Sequence, residues 1–225
     1  MVKNLIVVGS SGHAKAVINA IEKLNNYCGE YKITGLIDDY RKPGEKTFNY
    51  EVLGRVEDLP QLVENHSTYN IVIAIGDNFG RQKVAEKIKA LCPAVHFPAI
   101  IHPRNEIGRD ISVGEGVYIG PLGVISANVI IGNFCSLEGP CVLGHDSIME
   151  DFSSLGNNVS IGGNCRIGLG SAVLNGATVI QKIIIGEHTL IGAGATVLED
   201  IPSYVLAVGT PAKVRKERKP GDKYF

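Results

Sequence analysis

The sequence has almost no net charge, few cysteines and no long apolar run, and each shortage removes a class of function. Twenty-two basic side chains stand against twenty-three acidic ones, a formal charge of −1. Nucleic acid or an acidic membrane surface would call for a clustered basic excess, so neither is an expected partner. No apolar stretch approaches the roughly 20 residues of a membrane-spanning helix. Met1-Val2-Lys3-Asn4 leads straight into a strand-like segment, without the charged and apolar regions of a secretion signal. The expectation is a cytoplasmic protein. The five cysteines are an odd number with no C-x-x-C pair, which argues against a disulfide framework and a zinc knuckle. A chain of 225 residues can bury a core as one large domain or as two small ones.

What the sequence does contain is a six-residue period. From Ile107 to Val197 an aliphatic side chain returns at every sixth position, sixteen times in succession. That spacing suits neither a helix of 3.6 residues per turn nor an alternating hairpin; it is a signature of the parallel β-helix. The next residue is usually glycine, as at Gly108, Gly144 and Gly162, which suits a corner. Four residues after the aliphatic one the side chain is often small, as at Cys135, Cys141, Ser147 and Cys165. The expected interior is therefore narrow and filled, with large side chains facing small ones. This hexad, [LIV]-G-x-x-[STAV]-x, resembles that of the left-handed β-helix acyltransferases. The resemblance implies three hexads per coil and left-handed crossovers, against the usual rule for parallel connections. Sixteen hexads then make a little over five coils, roughly 25 Å at the spacing of neighbouring strands.

The N-terminal part reads differently. Leu5-Ile6-Val7-Val8 is a buried parallel strand stopping at Gly9-Ser10-Ser11-Gly12, and Ala14, Val17, Ile18, Ile21 and Leu24 follow at helical spacing. Ile33–Ile37 ends at Asp38-Asp39, Ile71–Ile75 ends at Gly76-Asp77-Asn78, and a helix is predicted from about Arg81 to Leu91. Alternating strands and helices define a small doubly wound α/β domain, residues 1–98, ahead of the β-helix, residues 99–225. Ligands of such sheets bind at the carboxyl ends of the strands, where all three loops lie. G-x-x-G is shorter than a full dinucleotide fingerprint and serves equally as a tight turn. A helix starting there still offers free N–H groups to a phosphate. Asp38 and Asp39 are placed to accept from a ribose or a base, or to form a solvated turn.

Taken together, G-S-S-G-H, I-D-D, I-A-I-G, L-G-H-D within the hexads and a terminal G-T-P-A-K resemble the bacterial N-acetyltransferases of nucleotide-linked amino-dideoxy sugars and the sialic acid O-acetyltransferases. The resemblance covers nearly the whole chain. It implies acetyl-CoA as co-substrate, a nucleotide sugar in the N-terminal domain, and active sites between the subunits of a homotrimer. His145 matches the general base, with a reference pKa of about 6.5 that lets it accept a proton near neutrality. Asp146 matches the acidic neighbour that orients the ring. Adjacent residues of a straight strand point apart, so this pair requires a corner. One coil further, 145 + 18 = 163, stands Gly163, matching a glycine whose N–H meets the acyl end of acetyl-CoA. Ala193 matches another cofactor-lining position, and the cations after Lys213 lie in a tail where one or two could meet coenzyme A phosphates. Ser10, Ser11, Gly12, His13 and Gly76 match the sugar-nucleotide loops.

Some trimeric β-helices hold zinc with three histidines, but His102, His145 and His188 do not fall on one edge, and no metal is expected. Two departures from the family stand out. Ser154 replaces a second histidine, and Glu138 stands where relatives have asparagine, changing the surroundings of the acceptor amine. The expected activity is N-acetylation of a nucleotide-linked 4-amino-4,6-dideoxy sugar. The alternatives are sugar O-acetylation and a binding protein without catalysis.

Overall fold

The structure, a computed structural model, describes residues 2–64 and 69–224. The chain forms two compact units, Met1–Pro103 and Arg104–Phe225.

In the first unit, β1 (Lys3–Val8), β2 (Tyr31–Ile37), β3 (Lys46–Thr47), β4 (Tyr50–Gly54) and β5 (Asn70–Ile73) make one sheet of order β3-β4-β2-β1-β5. β1 is an interior strand, paired in parallel with β2 and β5. Its successive residues point to opposite faces, and Leu5, Ile6 and Val7 are all wholly buried, so both faces are covered. Helix α1 (Gly12–Cys28) buries Ala14, Val17, Ile18 and Ile21, the apolar stripe of its sequence, and stops at Gly29 in the left-handed conformation. A short helix α2 (Leu59–Val63) precedes β5. Helix α3 (Asn78–Leu91) begins earlier than its apolar spacing suggested, because the Asp77 carboxylate caps it by accepting from the Gly80 N–H at 2.6 Å. The β3–β4 hairpin had no signal in the sequence; two-residue pairing is too short to show alternation.

The second unit is a three-sided parallel β-helix built from two-residue strands. One face stacks Glu106–Ile107, Val124–Ile125, Val142–Leu143, Ser160–Ile161, Thr178–Val179 and Thr196–Val197. A second runs from Ser112–Val113 to Ile184–Ile185, and a third from Tyr118–Ile119 through Leu190–Ile191 to a closing hairpin, Val205–Val208 with Lys213–Glu217. Partners are eighteen residues apart, as in Val142 with Ser160 and Leu143 with Ile161.

Hexad residues point inward, and from Ile119 to Val197 each is at most 1% exposed. The small residues opposite them are buried too, Cys135, Cys141 and Cys165 among them. Buried hydroxyls find partners: Ser147 donates to the Gly162 carbonyl and accepts from the Cys165 N–H. Cutting Leu143 to alanine in so tight a column would cost about 2–5 kcal/mol.

The corners correct one expectation. The left-handed backbone is carried not by the glycines that follow the hexad residue but three positions later, by Asp110, Asn128, Asp146, Asn164 and Lys182 on one edge. The glycines are there for close approach: a Cβ on Gly144 would lie 2.4 Å from the Gly162 carbonyl carbon in the next coil. The closing segment is not a free tail. Lys213–Glu217 is an exposed strand, and Arg218 after it is buried, donating to the carbonyls of Asp222 and Lys223.

Candidate active site

His145 and Asp146 occupy the corner after Val142–Leu143, and it is this bend that brings adjacent side chains together. Asp146 has φ +58°, a conformation that aspartate tolerates better than most residues. Its Oδ2 lies 2.6 Å from His145 Nδ1, and its Oδ1 accepts from Asn128 Nδ2 at 3.2 Å. Both bonds, that to His145 foremost, hold the Asp146 carboxyl below the usual carboxylate range. An ionised Asp146 fixes the tautomer in which Nδ1 carries the hydrogen, leaving Nε2 as the acceptor. That nitrogen faces Gly163, where a Cβ would sit only 2.6 Å away. Only glycine lets the ring lie where it does.

The backbone of Gly163 offers a donor as well. At three corners of the other edges the N–H two residues after the hexad position is capped by a side chain one coil on: Glu115 by Asn133 at 3.1 Å, Asn133 by Asp151 at 2.7 Å, Asn157 by Asn175 at 3.0 Å. Eighteen residues beyond Gly163 stands Gln181. Among the described residues the Gly163 N–H makes no hydrogen bond, so an uncapped donor lies beside an exposed imidazole.

The other predicted residues of this unit lie elsewhere on the prism. Glu138 follows the third face rather than the first; it accepts from Ser136 Oγ at 2.6 Å and borders Tyr118 and Cys141. Burial foremost, then the Glu138 charge, pushes the Cys141 thiol up to about 12, so this cysteine is no nucleophile. Ala193 is exposed on the same edge as Glu138, and Lys213 pairs with Glu199. A single chain does not gather these three around His145.

In the first unit the loops at the strand ends line a cavity of about 430 Å³. Of the residues the sequence singled out, Ser10, Ser11, Asp38, Asp39 and Gly76 line it, while Gly12 and His13 do not. Ser10 Oγ donates to Asp38 Oδ2 at 2.5 Å, and the Tyr40 N–H to Asp38 Oδ1 at 2.9 Å, so both oxygens of Asp38 are engaged. Asp39 Oδ1 accepts from the Val56 N–H at 2.9 Å, and among the described residues its second oxygen is open. Ser11 starts α1 without capping it by its side chain. His13 lies in the first turn, its ring 3.8 Å from where a Gly76 side chain would start.

Sequence reasoning missed Asn128, although 146 − 18 = 128 would have found it, and buried Arg81, which ties the third loop through the carbonyls of Ile75 and Gly76 and through Asn78 Oδ1. Among the described residues no three metal-ligating side chains cluster, and no helix is long and apolar enough to cross a membrane.

Eighteen-residue coils with an exposed histidine corner are the build of hexapeptide-repeat acyltransferases, and comparison with known proteins narrows the class. The PglD N-terminal domain family matches residues 4–88. PerB from Caulobacter crescentus, solved in complex with CoA and GDP-perosamine, is 30% identical with a TM-score of 0.87 over 96% of this chain and 99% of that one. The acetyltransferase domain of PglB from Neisseria gonorrhoeae is 26% identical with a TM-score of 0.83, over 95% and 100%. Carnitine operon protein CaiE from Escherichia coli is 36% identical over 62 residues, 24% of this chain; the match spans 32% of the length of that curated relative. The chain belongs to the hexapeptide-repeat sugar acetyltransferases, with a left-handed β-helix after an α/β unit.

Proposed function

We propose that the chain transfers acetyl from acetyl-CoA to the amino group of a nucleotide-linked amino-deoxy sugar, a 4-amino-4,6-dideoxy sugar of surface glycan synthesis. The observation that carries the reading is the His145–Asp146 pair, with Nε2 facing the uncapped Gly163. The thioester carbonyl oxygen takes its hydrogen bond from the Gly163 N–H, which steadies the charge that develops there. The amine nitrogen forms its bond to the carbonyl carbon while its proton passes to His145 Nε2. Asp146 stabilises the resulting imidazolium. The carbon–sulfur bond then breaks, and the thiolate leaves as free coenzyme A after regaining a proton. No acyl-enzyme is needed, and the buried cysteines of the β-helix offer none.

In this reading the nucleotide occupies the cavity of the first unit, with a phosphate at the start of α1 and Asp39 reading the ribose or base. We assign a homotrimer. Val124, Val142, Ile130 and Ile184 leave apolar side chains exposed on two faces, and Glu138 and Ala193, on another edge of the prism, reach His145 and Gly163 from another copy. A cytoplasmic location goes with soluble nucleotide-linked substrates. The test follows free thiol release from acetyl-CoA with a panel of nucleotide amino sugars, beginning with GDP-perosamine, the ligand of PerB. Release that depends on the amine is expected. Coenzyme A binding without turnover on any acceptor would leave a binding protein, and turnover on hydroxyl acceptors alone an O-acetyltransferase. Light scattering that finds a monomer at micromolar concentration would overturn the trimer.

A further inference from the structure

The cavity of the first unit has a wall chemistry that its polar rim does not explain. Val8, Ile37, Val56, Ala74, Ile75 and Val84 line it, and such a surface repels a pyrophosphate but suits the faces of a flat ring. Tyr40 also lines the cavity, and the residue as a whole is 98% exposed. Its backbone, by contrast, is tied on both sides. The Tyr40 N–H donates to Asp38, and the next residue, Arg41, is clamped through Nη1 to Thr47 Oγ1 at 2.8 Å, Nη2 to the Lys46 carbonyl at 3.0 Å and Nε to Glu45 Oε2 at 2.9 Å. Thr47 Oγ1 in turn donates to the Ser10 carbonyl at 2.8 Å. A loop fastened this way gives up little freedom when a ligand arrives, while the aromatic side chain it carries packs against nothing.

We propose that Tyr40 is the outer half of a nucleobase clamp: the base enters the apolar cavity and the Tyr40 ring closes over its exposed face. This rests on the nucleotide-sugar reading above and adds to it the residue that grips the base. A stacking ring tolerates any base because each has a π-face, so Tyr40 supplies affinity for nucleotides as a class. The open oxygen of Asp39 next to it is left to favour bases with a ring N–H.

Calorimetric titration of the full chain with GDP, UDP and dTDP, and with inorganic pyrophosphate as a probe lacking a base, tests the clamp in wild type, Tyr40→Phe and Tyr40→Ala. Tyr40→Ala is expected to weaken the tightest nucleotide roughly ten- to a hundred-fold, with Tyr40→Phe close to wild type. Pyrophosphate binding and the KM for acetyl-CoA should not move. Equal nucleotide affinity in Tyr40→Ala and wild type overturns the clamp and leaves the nucleotide-sugar reading intact. Equal weakening of nucleotide and pyrophosphate also overturns it, since the ring would then act on the loop and not on the base. Wild-type protein that binds none of the three nucleotides overturns both.

Discussion

Polar side chains at the mouth of the α/β cavity are mostly spoken for: Ser10 and Tyr40 hold Asp38, and Val56 holds one oxygen of Asp39. On the β-helix the reverse holds. Some corners are capped by the next coil, as at Glu115, Asn133 and Asn157, and the candidate chemistry lies at one that is not, where the open Gly163 N–H stands beside the His145 ring. One site is a set of fastened loops that leaves the second oxygen of Asp39 open among the described residues. The other is an open backbone donor beside an exposed ring. Substitutions in the first should therefore change binding by degrees, and substitutions in the second should change the rate steeply.

The largest effect is expected at His145. His145→Asn keeps a hydrogen-bonding group but cannot take the amine proton, and kcat should fall by roughly two to four orders of magnitude with the KM for acetyl-CoA nearly unchanged. Near wild-type kcat at neutral pH would place the base elsewhere. Next comes Gly163→Ala. The new methyl would start 2.6 Å from Nε2, so the ring must turn away, and a displacement of about 1 Å can cost on the order of a hundred-fold in rate. Melting temperature should hardly change; a variant that melts early and keeps its kcat would show Gly163 to be a packing residue only.

In the α/β unit, Asp38→Ala and Asp39→Ala are each expected to raise the KM for the nucleotide sugar about ten-fold, leaving that for acetyl-CoA alone. Equal effects on both ligands would mean that the two substrates do not occupy separate units. Asp38→Ala should in addition lower the melting temperature, because it unties Ser10 and the Tyr40 N–H together.

The smallest effect concerns His188, half-buried and stacked on Tyr204 with ring centroids 5.5 Å apart. Burial lowers its pKa, against a smaller opposing pull from Glu187. The unfolded chain then binds the proton more readily than the folded one. The stability contributed is full above the ordinary histidine pKa of about 6.5 and is lost as pH falls through it. Melting curves from pH 8 to 5.5 should show a shallower decline for His188→Phe than for wild type; parallel declines would assign the slope to other groups.

The β-helix was legible because each coil repeats the same instruction, so the sixteen hexad positions locate its faces and put Gly163 one coil past His145. The pairing of His145 with Asp146 was legible only as a condition, that the two stand at a corner; the left-handed φ of Asp146 meets it. The α/β unit showed its central strands by continuous apolar runs. It hid what depends on a single hydrogen bond, namely the Asp77 cap that starts α3 early and the β3–β4 hairpin whose Thr47 reaches back to Ser10. Apolar spacing carries no trace of such contacts. Nor does it say which corner N–H is left uncapped, a matter of which side chain happens to stand eighteen residues on.

That interval of eighteen makes the candidate catalytic corner portable. His145 and Gly163 are adjacent coils of one edge, and their relation depends on nothing outside the segment that joins them. A whole coil gained or lost at either end of the prism would lengthen or shorten the protein and leave the pair intact. A single hexad removed between them would bring a residue of a different edge beneath the imidazole. The length of such a β-helix can thus drift to suit the reach of its ligands while the chemistry travels unchanged along its edge.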